Sequence, residues 1–192
     1  MKLGLVIDLD TCVGCHACAT ACKEWNGASA ISGPLTDDSP YGADPTGVWF
    51  NRVRHYEVGE FPGCKTINFP MSCLHCEDAA CVSVCPTGAS YKREDGIVLV
   101  DQDRCRGWRM CVTGCPYKKV YFNHRTGKAE KCTFCFPRIE VGIPTVCSET
   151  CVGRLRYIGL VLYDADAVLA AASTPEDRDL YAAQRSVFLD PD

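Results

Sequence analysis

Apolar residues in this chain come in short runs, none approaching the roughly eighteen consecutive positions needed to cross a bilayer. Leu3 to Leu9 alternates loosely and is rich in β-branched and aliphatic residues, which predicts a short strand. The same pattern returns at Ile97-Val98-Leu99-Val100-Asp101, behind the turn pair Asp95-Gly96, and predicts a second strand. Both strands deliver the chain to a loop dense in cysteine, so an internal repeat of strand and cysteine loop is visible. Between Gly27 and Pro45 the composition turns to Gly, Ser, Pro, Asp and Thr, which predicts an irregular surface loop. Alternation resumes from Val48 to Val58 around Trp49, Phe50, Val53 and Tyr56, as in a strand or hairpin. Leu155, Tyr157, Ile158, Leu160, Val161 and Leu162 predict a buried strand within 153–162. Beyond Asp164 the period changes. Thr174 before Pro175, with Asp177 three residues on, starts a helix whose Leu180, Ala183 and Val187 share one face.

The cysteines change this picture. Fifteen of the sixteen fall into four groups: Cys12, Cys15, Cys18 and Cys22; Cys73, Cys76, Cys81 and Cys85; Cys105, Cys111 and Cys115; and Cys132, Cys135, Cys147 and Cys151. Three thiolates in one tight loop, with a fourth three residues further on, wrap one iron-sulfur cluster and hand the last ligand to a neighbouring cluster. Four such groups imply a series of redox centres. Disulfides are the poorer reading, because dense disulfide frameworks belong to much shorter secreted domains and Asp8 interrupts any apolar leader ahead of Cys12. Structural zinc is the better competitor, since four-thiolate zinc sites also begin with Cys-x-x-Cys. Zinc, however, has no use for a third cysteine two residues beyond the pair.

The net charge of −4, with no basic stripe carrying interleaved aromatics, argues against nucleic acid as a partner. One compact unit of 192 residues is expected, with a thin conventional core stapled by its clusters. Nucleophile–base pairs and glycine-rich phosphate loops do not stand out, so substrate chemistry is expected on another chain. His75, between two ligand positions, is expected to hydrogen-bond a cluster sulfur.

In two-cluster ferredoxins the fourth cysteine of each run ligates the other cluster, so the groups are expected to work in couples. Group one goes with four and group two with three if the middle groups form an inner hairpin. Pro86 and Pro116 follow the last cysteines of the middle groups and fix the exit of each loop. In group three, Trp108 stands where the repeat calls for a cysteine, three residues after Cys105. Three thiolates hold a 3Fe-4S cluster; the competing reading completes a 4Fe-4S cube with water, hydroxide or another side chain. Cys64 lies outside every group and is expected to be an ordinary free thiol.

These motifs resemble the four-cluster electron-transfer subunit of the dimethyl sulfoxide reductase family of molybdopterin enzymes. Cys105-Arg106-Gly107-Trp108-Arg109-Met110-Cys111, with Cys115-Pro116-Tyr117-Lys118-Lys119, is similar to the beta subunit of respiratory nitrate reductase, and so is Cys147-Ser148-Glu149-Thr150-Cys151-Val152-Gly153-Arg154. The shorter stretch from Ser39 to Arg52 looks more like the compact subunits that accompany sulfite dehydrogenases.

The resemblance implies an α+β fold of tandem, pseudo-twofold ferredoxin-like modules. The outer module would comprise 1–23 and 117–163, the inner one 64–116, with 24–63 a connecting insertion and 164–192 a helical tail. Three 4Fe-4S clusters and one 3Fe-4S cluster are implied. Cys12, Cys15, Cys18 and Cys151 would hold the first, and Cys22, Cys132, Cys135 and Cys147 the second. Cys73, Cys76, Cys81 and Cys115 would hold the third, and Cys85, Cys105 and Cys111 the 3Fe-4S cluster beside Trp108. The implied partners are a molybdopterin catalytic subunit and a membrane anchor bearing quinone or haem b. Without an export signal the expected place is the cytoplasmic face of the membrane, carriage across it on a twin-arginine partner being the alternative. Arg106, Arg109, Lys118 and Lys119 either raise the potential of the three-iron site or are solvated surface charges. A free polyferredoxin carrier and a zinc-stapled interaction module are the rival functions.

Overall fold

The computed structural model describes residues 2–27, 49–161 and 188–189. The tail helix expected from Thr174, and all of the Gly27–Pro45 loop after Gly27, lie outside these residues. The strand expected from Leu3 forms as β1 (Lys2–Ile7). It pairs antiparallel with β8 (Arg156–Val161), from Lys2 opposite Val161 to Ile7 opposite Arg156. The two-residue β9 (Phe188–Leu189) lies on the other side of β8. This sheet joins the first cysteine group to the last. Asp8 extends the link, its N–H donating to the Leu155 carbonyl at 2.9 Å.

Three hairpins fill the middle of the chain. β2 (Arg52–Val58) pairs with β3 (Lys65–Met71), β4 (Ser90–Lys92) with β5 (Val98–Val100), and β6 (Val120–Asn123) with β7 (Lys128–Lys131). The Asp95-Gly96 turn closes the second as its composition predicts: Gly96 is left-handed at φ 86° and Asp95 Oδ1 accepts the Ile97 N–H at 3.1 Å. In the third, Asn123 Oδ1 accepts the N–H of Arg125 at 2.9 Å, and left-handed Gly127 leads into β7. The β2 strand starts later than the alternation suggests, because Trp49 and Phe50 are buried in the bend that precedes it.

The helices are mostly single turns. α1 (Ala17–Gly27) has eleven residues, whereas α2 (Ala80–Ser83), α3 (Met110–Gly114), α4 (Phe136–Ile139) and α5 (Val146–Glu149) have four or five. Helices this short are not stable on propensity alone and must be held by what they pack against. Four of the five helices among the described residues contain cysteine: Cys18 and Cys22 in α1, Cys81 in α2, Cys111 in α3 and Cys147 in α5. The core is correspondingly thin. Its largest buried group combines Cys81, Cys105, Cys111 and Cys115 with Ala79, Ala89, Ala129, Val98 and Val120. A second contains Cys22, Phe50, Cys135 and Val146, and a third is built on Ile97, Leu99 and Phe134 with Leu3, Leu5 and Ile158 against it.

Candidate metal centres

Each cysteine loop bends at the same place. The second residue after the first cysteine is left-handed in all four: Gly14 at φ 70°, His75 at 46°, Gly107 at 73° and Phe134 at 58°. Such a conformation is uncommon for residues with a side chain, and its recurrence at His75 and Phe134 marks a backbone set by function. The bend turns peptide N–H groups back toward sulfur. The His75 N–H donates to Cys73 Sγ and the Phe134 N–H to Cys132 Sγ, both at 3.4 Å. Further N–H donors reach sulfur at the same distance, from Ser90 to Cys85, Lys119 to Cys115 and Ala129 to Cys105.

The fold gathers the thiols in sets drawn from separate groups. One cavity is lined by Cys12, Cys15, Cys18 and Cys151, with Arg156 in its wall. Another is lined by Cys73, Cys76, Cys81 and Cys115, and a third by Cys85, Cys105 and Cys111 with Trp108. Cys22 and Cys135 share one buried cluster, against which Cys132 packs, and Cys147 lies within their electrostatic range. Neighbouring sets adjoin in sequence: Cys18 feels Cys147, Cys132 feels Cys73, and Cys111 feels Cys81.

Buried donors face these sets without a protein acceptor. His75 Nδ1 accepts the Val98 N–H at 3.0 Å, so Nε2 carries the proton, and Nε2 is buried with no partner. Nε and Nη1 of Arg156 are in the same position, and the buried Ser90 and Asn51 side chains lie beside Cys81 and Cys18. Orphaned donors beside converging thiols fit a group rich in acceptors, and inorganic sulfide with thiolate sulfur is such a group. The residues present therefore fit iron-sulfur clusters.

Free thiols in this interior resist ionisation. Burial pushes Cys132 up to about 12 and Cys111 up to about 11, neighbouring thiols adding to both. Burial likewise raises Cys22, Cys18, Cys76, Cys81 and Cys135. Cys85 is the exception: burial opposes its ionisation, but hydrogen bonds from Ser90, Thr87 and Ala89 outweigh that and lower it. A metal must displace these protons, so its binding energy is coupled to folding.

Outside the thiols, the residues singled out by sequence divide into exposed and buried ones. Cys64 is exposed at the β2–β3 turn, away from every set. Arg106, Arg109 and Lys118 are exposed, Arg109 lying 3.9 Å over the Phe122 ring, whereas Lys119 is buried and donates to the Met71 carbonyl at 3.3 Å. His16 and His55 meet through their Nε2 atoms at 3.0 Å, and His55 Nδ1 lies 2.6 Å from Asn68 Oδ1. Asn68 Nδ2 donates to the Cys12 carbonyl at 2.8 Å, which fixes its orientation and makes His55 Nδ1 the donor. The chain His16–His55–Asn68–Cys12 thus ties the first loop to the β2–β3 hairpin. Asn51, Ser90, Lys131 and Arg156 were not singled out from sequence. A signal existed for two of them: Lys131 immediately precedes a ligand position and Arg156 interrupts the apolar run of the last strand.

Comparison with known proteins agrees with this geometry. A 4Fe-4S dicluster domain model matches residues 64–161, more than half of the chain, and a 4Fe-4S binding domain model matches residues 3–24. The chain belongs to the 4Fe-4S dicluster family of iron-sulfur beta subunits. This iron-sulfur chain is 61% identical over 143 residues to the respiratory nitrate reductase 1 beta chain of Escherichia coli K12, a match covering 74% of it and 28% of that protein. It is 48% identical over 178 residues to a subunit of the sulfite dehydrogenase of Allochromatium vinosum, covering 89% of it and 73% of that relative. To the dimethylsulfide dehydrogenase beta subunit of Rhodovulum sulfidophilum it is 36% identical, covering 87% of it and 69% of the relative. It spans about a third or less of the nitrate reductase chains from Escherichia coli and Bacillus subtilis. Among the described residues no helix is long and apolar enough to cross a membrane.

Proposed function

We propose that this subunit relays single electrons through three 4Fe-4S clusters and one 3Fe-4S cluster, between a molybdopterin catalytic subunit and a membrane anchor carrying quinone or haem b. The observation that carries the reading is the serial adjacency of four thiol sets, each in electrostatic range of the next, with buried donors lining the first and third cavities. Cys12, Cys15, Cys18 and Cys151 would hold the first cluster and Cys22, Cys132, Cys135 and Cys147 the second. Cys73, Cys76, Cys81 and Cys115 would hold the third, and Cys85, Cys105 and Cys111 the three-iron cluster. Such clusters, when bound, accept and release one electron at a time over a potential range of roughly −700 to +450 mV. The protein's own contribution is to hold the thiols, aim N–H groups at sulfur, and exclude water through Phe50, Phe134 and Val98.

The shared left-handed bend at His75 and Phe134 supports two pseudo-symmetric modules, an inner one at 64–116 and an outer one joining 1–23 to 117–163 through the β1–β8 pairing. At the far end, Trp108 is 62% exposed with exposed Met110 in the same cavity wall, which suits the three-iron site to the anchor side. Nitrate, sulfite or a related oxyanion or sulfur compound is the substrate class, by analogy with the relatives' names, and the inner face of the membrane is the place. The test is anaerobic isolation of the native complex. About fifteen iron atoms per chain, matching acid-labile sulfide and a co-purifying molybdopterin subunit are expected; a colourless chain holding zinc, or a brown monomer with no large partner, refutes the assignment.

A further inference from the structure

The outermost charges by the three-thiol site are solvated, but the interior holds cations that sequence reading passed over. Lys131 is 3% exposed and Arg156 5%. Burying a charge is costly unless it is compensated, so their positions call for a reason. Lys131 Nζ donates to the Cys132 carbonyl at 2.8 Å, within the second set, and to the carbonyl of Val98, which lines the cavity of the third. Arg156 lines the first cavity and donates through Nη2 to Cys18 Sγ and Asn51 Oδ1, both at 3.4 Å. Cys22 of the second set follows Cys18 by one turn of α1, while Nε and Nη1 of Arg156 stay buried without a protein acceptor. Both cations therefore sit at a junction. Lys119 differs, lining the third cavity and donating to the Met71 carbonyl at 3.3 Å. At the last junction Ser90 donates its N–H to Cys85 Sγ at 3.4 Å and its neutral hydroxyl lies beside Cys81 of the third set, while half-buried Lys128 donates to the Cys105 carbonyl at 2.6 Å within the three-thiol set.

We propose that Arg156 and Lys131 are shared redox-setting residues, each raising the potentials of the two clusters it lies between, whereas the step into the three-iron site crosses the neutral Ser90. A cluster gains negative charge when reduced, and a fixed cation at short range in a low-dielectric interior stabilises that state. A cation held in common also offsets the repulsion between two reduced neighbours. The proposal rests on the ligand sets given above.

The experiment is an anaerobic redox titration of the cluster-loaded full chain followed by electron paramagnetic resonance, with iron and sulfide counted in every sample. Lys131→Gln is expected to lower the midpoints of the second and third clusters together, by at least tenfold in the one-electron reduction constant or about 59 mV each, and to leave the first and the three-iron site in place. Arg156→Gln is expected to lower the first and second only. Lys131→Arg, which keeps the charge, is expected to restore the parent values, and it decides the case if Lys131→Gln loads poorly: midpoints displaced in Lys131→Arg overturn the proposal. Iron intact with unmoved midpoints, or with one cluster moved instead of a pair, overturns it too. An iron count in the parent chain that does not match the four sets overturns the ligand reading and takes this proposal with it.

Discussion

Replacing Trp108 by cysteine puts a thiol where Cys15, Cys76 and Cys135 stand in the other loops. The backbone is already shaped for it, since Gly107 at φ 73° and Arg109 at φ 63° flank position 108 as Gly14 at φ 70° and His16 at φ 60° flank Cys15. No new backbone strain is required. The cost is the buried part of the indole: Trp108 is 62% exposed, so about 90 Å² of a large aromatic surface is lost to the interior, or about 2 kcal/mol at 25 cal/mol per Å². That is small enough for the fold to survive, while the new thiolate supplies the fourth corner of a cube. Iron in Trp108→Cys is expected to rise from about fifteen to about sixteen atoms per chain, and the paramagnetic signal of the oxidised three-iron cluster to disappear. A folded variant that keeps that signal and the parent iron count refutes the placement of the three-iron site at Cys85, Cys105 and Cys111.

Other outcomes follow from the same geometry. A Cβ at Gly107 would lie 2.2 Å from the Gly127 carbonyl, so Gly107→Ala is expected to lose the three-iron cluster, seen as a drop of about three iron atoms. Gly127→Ala, left-handed at φ 69° but with nothing within 4 Å of the added carbon, is expected to cost only about 1–2 kcal/mol by thermal denaturation and to keep all its iron. Cys64→Ser is expected to leave iron content unchanged and stability within about 0.5 kcal/mol, because its thiol is exposed and outside every set. Stripping the clusters with chelator under reducing conditions is expected to abolish cooperative melting and most of the near-ultraviolet dichroism, since helices of four or five residues and a cysteine-built core have little else to hold them.

The ends of the fold were legible in the chain because their signals are local. A run of β-branched residues ahead of Cys12, its echo ahead of Cys105 and the Asp95-Gly96 turn each report a strand without help from the rest of the molecule. β7 was not legible: Lys128-Ala129-Glu130-Lys131 has the composition of an exposed helix, yet it is a largely buried strand. What overrides its propensity is tertiary, namely the Ala129 N–H to Cys105 Sγ, Asn123 Nδ2 to Glu130 Oε1 at 2.8 Å, and the bonds of Lys131 to two carbonyls. The grouping of the thiols was legible because Cys-x-x-Cys spacing is local, and the structure lines shared cavities with thiols from separate groups. The donors around them were not: Arg156 reaches Cys18 Sγ from 138 residues further along the chain, and Ser90 meets Cys85 through a backbone N–H that no side-chain motif announces.

The antiparallel pairing of β1 with β8 brings Cys151 to Cys12, Cys15 and Cys18 across most of the chain. A nascent polypeptide leaving the ribosome therefore exposes the first three of these thiols long before their companion is synthesised. The set with Trp108 is complete once Cys111 has emerged and the set of Cys73 at Cys115, whereas the two remaining sets wait for Cys147 and Cys151. Cofactor insertion during translation would then proceed from the middle of the chain outward, and the oldest cysteines would be the last to be filled.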